Sequence, residues 1–223
     1  MLRLREHETC NVFILGGIEV ATMPDEQDRI QKLVREALGP EYLALRVDSV
    51  RFEEDLTDNV GRIHAELRNE LSGEKTALDG RGVGLVDGFF QALVGRLAAE
   101  YPSLKTIEFS KFQIDGRIET KRQTQGADAM GEVTLVVRNS DRREFVFTDA
   151  SRSITASALR TVLKAVEYFV NSERAFIAVY GRLEDARKRN RDDLVQTYTG
   201  QLVELVKNTS YSEAIEGIKK QIR

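Results

Sequence analysis

The sequence is poor in the residues that anchor several kinds of site. It has one cysteine, Cys10, so neither a disulfide within the chain nor a cysteine-rich zinc site is possible. We read Cys10 as a small buried hydrophobe beside a strand. Tryptophan is absent and aromatics make up 7% of residues, too few for an extended base-stacking platform. The 33 basic and 36 acidic residues leave a net charge of −3, which argues against a nucleic-acid footprint. No apolar run is long enough to cross a bilayer, and Met1 to Glu8 lacks the apolar centre of a signal peptide. These absences point to a cytoplasmic protein without nucleic-acid or membrane partners. The three prolines, Pro24, Pro40 and Pro102, all fall where element boundaries are expected.

What is present is an internal repeat. Ile63-His-Ala-Glu-Leu-Arg-Asn69 is echoed by Val133-Thr-Leu-Val-Val-Arg-Asn139. Each copy runs into a polar turn and a second strand. A pair of small residues follows (Gly82 and Gly84; Ser151 and Ser153), then a long amphipathic helix. The copies register at an offset of 70 across the first of these strands (Arg68 to Arg138) and 69 at the helix start (Gly84 to Ser153). A unit that cannot bury its own apolar face must dock on its twin or on another chain, so the duplication points to a module that pairs.

Around the repeat, Asn11 to Leu15 reads as a short buried strand. Pro24-Asp-Glu26 starts a helix whose Ile30, Leu33, Val34 and Ala37 share one face. Gly39-Pro40 stops it, and Tyr42 to Phe52 reads as a strand broken at Ser49. Helices are expected from Leu85 to Glu100 and from Ile154, taken as inward, to Asn171. Leu104 to Ile118 reads as a strand with a slip midway. Glu119 to Gly126 reads as a loop, and Gly80, Gly82 and Gly84 as a loose crossing. After Gly181 the chain becomes strongly charged. Arg187-Lys-Arg-Asn-Arg191 fits a solvated helix face, Leu194 to Val206 supplies an apolar stripe, and Ser212 to Ile222 fits a further short helix. This gives an α+β chain in three parts: a strand-helix element at 1–41, a duplicated βββα domain at 42–180, and a helical extension at 181–223.

Three motifs resemble the regulatory domain of 2-isopropylmalate synthases. Gly126-Ala-Asp-Ala-Met-Gly-Glu-Val-Thr-Leu-Val-Val-Arg138 is similar to that family's Gly-Thr-Asp-Ala strand signature. Gly82-Val-Gly-Leu-Val-Asp-Gly88 resembles its Gly-x-Gly-Pro-Val-Asp-Ala turn, and Ser153-Ile-Thr-Ala-Ser-Ala-Leu159 the start of its second helix. The resemblance covers Tyr42 to Asn171. It implies two βββα units related by pseudo-twofold symmetry, a homodimer, and a feedback site for leucine, or isoleucine as in citramalate synthases. Leu85, Gly88, Ala127, Ser151 and Ser153 depart from the family pattern, all at turns that would frame an effector. The family's catalytic (β/α)8 barrel typically needs about 250 residues. Its His-x-His metal pair and Arg-Asp-Gly motif do not occur here: the two histidines, His7 and His64, are far apart. We therefore expect no catalytic residue, metal or cofactor, and no acyl transfer by this chain alone.

The candidate effector-binding residues are Gly82, Gly84, Asp87, Gly126, Asp128 and Ser153. Glycine N–H groups at a helix start can cradle a carboxylate, or simply allow close packing. The spacing lacks the Gly-x-Gly-x-x-Gly and Gly-Lys-Ser/Thr patterns of nucleotide loops. Asp87 can accept an ammonium or serve as a first-turn carboxylate, and Asp128 can ligate or brace a turn. His64 lies on the wet face of its strand with no acidic partner nearby in sequence. The C-terminal helices are the expected docking surface for any protein partner.

Overall fold

The computed structural model describes residues 14–15, 18–19, 24–119 and 128–207. The expected elements at Cys10, His7, 120–126 and Ser212–Ile222 lie outside them. A two-residue pair, β1 (Ile14–Leu15) and β2 (Ile18–Glu19), precedes α1 (Pro24–Leu38). One βββα unit follows: β3 (Leu45–Asp55), β4 (Val60–Asn69), β5 (Lys75–Gly82) and α2 (Gly84–Leu97). The second is β6 (Glu108–Glu119), β7 (Asp128–Arg138), β8 (Glu144–Ser151) and α3 (Ile154–Lys188), and α4 (Asp192–Lys207) follows it. The fold is α+β, with two antiparallel three-stranded sheets, ordered β3-β4-β5 and β6-β7-β8.

The repeat holds at the level of strand register. Gly61 faces Gly82 in the first sheet, and Gly131 faces Ser151 in the second. Both first strands carry a bulge at the same place: Val47 pairs with Leu67 and Phe109 with Val137, and the next residues, Asp48 and Ser110, are extra. A bulge shifts the inward alternation by one residue. That is why the apolar pattern of Tyr42 to Phe52 breaks in the sequence.

Alternation explains the layering. In β4, Gly61, Ile63, Ala65 and Leu67 are buried against the helices, and Arg62, His64, Glu66 and Arg68 face away. Phe90 of α2 packs against Phe109 of β6 with ring centres 4.5 Å apart, while Glu167 of α3 accepts a hydrogen bond from the Leu45 N–H of β3. Each helix thus reaches the first strand of the other unit. One apolar core joins both units, α1 (Ile30, Val34) and α4 (Leu205).

Two expectations change here. Gly80 and Gly82 are not a loose crossing; they belong to β5 and let α2 lie directly on it. A Cβ at Gly80 would stand 2.3 Å from the Gly88 carbonyl oxygen and 2.7 Å from the Ala92 Cβ. The helix expected to stop at Asn171 instead runs 35 residues to Lys188. The polar run Asn171-Ser-Glu173 that resembles an ending is buried, and Asn171 and Glu173 hold backbone groups of other parts of the chain.

Gly80→Ala is expected to cost about 2–3 kcal/mol by overpacking. Gly95, on the exposed side of α2 with open space where a Cβ would go, is the control. Gly95→Ala should gain about 0.5–1 kcal/mol from helix propensity. Urea unfolding of the two variants checks the contrast.

Candidate functional site

The described candidates fall into two groups, one at the start of each unit's helix. In the first unit, Val83 caps α2 in extended geometry and Gly84 follows at φ +81°, a left-handed conformation open to glycine at little cost. A methyl group at Gly84 would meet only Glu54 Oε1, at 3.7 Å, so its backbone and not its space requires glycine. Gly82 is constrained differently. A Cβ there would sit 2.4 Å from Asp87 Oδ2 and 2.5 Å from the Gly88 nitrogen. Asp87 Oδ2 accepts a hydrogen bond from the Val83 N–H at 2.8 Å, and its other oxygen accepts from Gln91 at 3.3 Å. The carboxylate therefore closes the helix start on itself, in the position the helix dipole favours.

The second unit builds its helix start from hydroxyls. Ser153 caps α3, its Oγ accepting from the Ala156 N–H at 3.2 Å. Ser151 Oγ accepts from the Ser153 N–H, donates to the Ser153 carbonyl at 2.9 Å, and lies 2.8 Å from the buried Ser157 Oγ. At the position equivalent to Gly80 stands Asp149, which binds Arg160 and Lys164 of α3. Those two partners hold its carboxyl below the ordinary aspartate range even though burial pushes the other way. One helix thus rests on glycines and the other on an ion-paired spacer.

Asp128 is the first residue of β7, paired in register with Glu119, and not part of a turn; its side chain lies outside the described residues, as does Gly126. Ile154, expected to point inward, is 47% exposed. It sits on Gly131, where a Cβ would come within 2.8 Å of it. Beside it on the helix side of β6 lie Phe112 (41% exposed) and Ile114. The equivalent positions in β3 are Val50 and Phe52, and Phe52 rests on Gly61 near the start of α2. An apolar corner therefore flanks each helix start.

His64 does have an acidic partner. Its Nδ1 lies 2.8 Å from Asp79 Oδ1, directly across the strand pair. Fifteen residues separate the two in sequence, but a two-residue alternation through the Ser72-Gly73 turn places them opposite. Both are exposed, so the pair is a surface cross-strand contact. Among the described residues no three His, Cys, Asp or Glu side chains gather in a way that would hold a metal ion, and no helix is long and apolar enough to cross a membrane.

Sequence reasoning missed the polar residues of α3 that hold backbone groups elsewhere in the chain. Asn171 Oδ1 accepts from the Leu43 N–H at 2.7 Å and its Nδ2 donates to the Leu43 carbonyl at 2.8 Å. Glu167 holds the Leu45 N–H, and Glu173 Oε2 accepts from the Ser103 N–H at 3.2 Å. The segments leading into β3 and β6 are both tied to this one helix. Burial raises the Glu167 carboxyl to about 7, helped by Glu70 and opposed by the Leu45 N–H, Arg35 and Lys164. The only signal in the sequence was three polar residues, Glu167, Asn171 and Glu173, within an apolar stretch, the first two of them one helical turn apart.

Residues 26–170 match the LeuA allosteric (dimerisation) domain, and the chain belongs to that family. Over 145 residues it is 27% identical to a protein of Archaeoglobus fulgidus named as a probable 2-isopropylmalate synthase. The aligned part is 65% of this chain and 26% of that protein, so the chain spans about a quarter of the length of the relative it matches.

A raised carboxyl pKa stabilises the fold fully below the unfolded value of 4.5, and that contribution is lost as pH rises through about 7. Glu167→Gln keeps an acceptor for the Leu45 N–H and removes the titration. Between pH 5 and pH 8 the native protein should lose about 2–3 kcal/mol more stability than the variant does. Urea melts of both proteins at the two pH values check this; parallel losses would refute it.

Proposed function

We propose that this chain is a non-catalytic regulatory module that forms a homodimer and senses a small branched-chain amino acid, leucine or isoleucine, at the seam between copies. The observation that carries the reading is the pair of apolar corners, Val50 with Phe52 and Phe112 with Ile114 and Ile154, each beside a helix start. A twofold dimer presents the same patch from both copies, and these corners offer self-complementary apolar surface. Gly82, Gly84, Asp87 and Ser153 frame the adjoining polar ends; Gly126 precedes, and Asp128 opens, the strand on which Ile154 rests. The aliphatic side chain of an amino acid suits the corner, and its charged groups suit the helix starts. A ligand that spans two copies stabilises the paired state by its differential affinity.

The family relationship supports dimerisation, and the relative's name supplies the context of 2-isopropylmalate synthesis for the effector. A second reading is a structural interaction protein that has lost its effector. It is favoured by the way Asp87 and Ser153 already satisfy their own helix starts. In a third, the module regulates a separately encoded synthase barrel.

Phe112→Asp combined with Ile114→Asp should convert the dimer to monomers in sedimentation at micromolar concentration, with the far-ultraviolet circular dichroism retained. Titration calorimetry of the native chain with leucine, isoleucine and valine should give heat and a rise in melting temperature for at least one of them at millimolar ligand. A native dimer that ignores all three decides for the structural reading, and a monomer at all concentrations overturns both.

A further inference from the structure

The face of the first sheet that turns away from α2 carries a charge pattern the fold does not need. Strand register sets two rows across it: Arg51, His64 and Asp79, and beside them Glu53, Arg62 and Arg81. Arg62 and Arg81 stand directly opposite each other, an arrangement that costs stability for like charges. Arg51 lies diagonally one strand over from Arg62, so three guanidiniums share one patch. These residues line an open hollow of about 470 Å³, floored by the strand backbone at Ile63 and Gly80.

The nearby carboxylates do not neutralise the patch. Asp79 is taken by His64 at 2.8 Å, and Asp55 by the N–H groups of Thr57 at 2.8 Å and Asp58 at 3.2 Å. Glu53 faces Arg62 in register, yet among the described residues no carboxylate comes within ion-pair distance of Arg51, Arg62 or Arg81. Arg46 and Arg68 show the ordinary solution on the same sheet, both ion-paired with Asp48. The repeat supplies a second comparison. Register places Gln113, Glu132 and Ala150 at the equivalent positions of the second sheet, none of them basic. A unit of this register therefore forms without the three arginines.

We propose that Arg51, Arg62 and Arg81 form a binding site for a small ligand that carries a diphosphate group. A guanidinium fork matches the paired oxygens of a phosphoryl group and binds it more strongly than a neutral donor does. Arg62 and Arg81 grip one phosphoryl group from two strands. Arg51, roughly 7–8 Å from Arg62 along the diagonal, reaches the second. The ligand supplies the missing counter-charge and relieves the repulsion between the opposed arginines. A monocarboxylate offers one anionic group too few. No aromatic side chain lines the hollow to stack on a base, so recognition rests on the diphosphate itself. The proposal is independent of the effector reading, because the helix starts adjoin the other face of this sheet.

The test is titration calorimetry of the full chain with inorganic pyrophosphate and with ADP, against sodium sulfate at matched ionic strength. At least one of the two should bind with a Kd below about 1 mM, and the tighter one tells whether the diphosphate is free or esterified. Arg62→Gln and Arg81→Gln should each weaken that binding about tenfold or more. Without ligand, both variants should melt no lower than the native chain, because each removes a like-charge contact. No binding of either probe at about 10 mM overturns the proposal, as does an affinity unchanged in the variants. Heat equalled by sulfate reports the ion atmosphere alone and also overturns it. A variant that melts lower without ligand assigns its arginine to the fold, with the same consequence.

Discussion

The rest of the structure depends on a side-chain amide. Asn171 lies fully buried in the middle of α3 and holds both the N–H and the carbonyl of Leu43, the point where the chain turns into the first sheet. Buried backbone groups without partners are costly, and Leu43 precedes the ladder that would otherwise satisfy it. Glu167, one turn earlier, does the same for Leu45, and Glu173 for Ser103. A helix that belongs by sequence to the second repeat therefore positions the first strand of both. The apolar core gives the fold its mass; these polar contacts fix where the two sheets stand about α3.

The duplication is close in register and unequal in chemistry. Both units carry the same bulge and the same facing pair at the strand ends, so the backbone plan is common. Yet α2 ends at Leu97 where α3 continues for 35 residues in all, and Gly80 in one unit is answered by Asp149 in the other. One helix is held by contact too close for a side chain, and the other by a carboxylate between two cations. The two helix starts are thus different environments, one lined by carboxylates and the other by hydroxyls.

Much of this was legible in the residues. The boundaries of α1 follow from Pro24 and Gly39, and the strand pairs follow from two-residue alternation and the turn at Ser72-Gly73. The motifs Gly82 to Gly88 and Ser153 to Leu159 mark both helix starts. The close packing of β5 was not legible, because three alternating glycines look the same in a slack loop and in a strand pressed against a helix. The length of α3 was hidden for a related reason. Asn171-Ser-Glu173 reads as a polar stop, and only the fold reveals that those side chains serve backbone groups more than a hundred residues away in one case and seventy in the other. The His64–Asp79 pair needed the register across a hairpin, and the exposure of Ile154 depended on how far the sheet extends beyond the helix.

The reach of Asn171 back to Leu43 also bears on how the protein is made. A ribosome delivers β3, β4, β5 and α2 before α3 exists, at roughly 5–20 residues per second. Through that interval the nascent first sheet lacks the amide that anchors its leading edge and part of the apolar cover that α3 provides. The repeat looks like two blocks that could assemble in turn, but its stitching runs from late residues to early ones. Maturation of the amino-terminal half therefore waits on translation of the carboxy-terminal half.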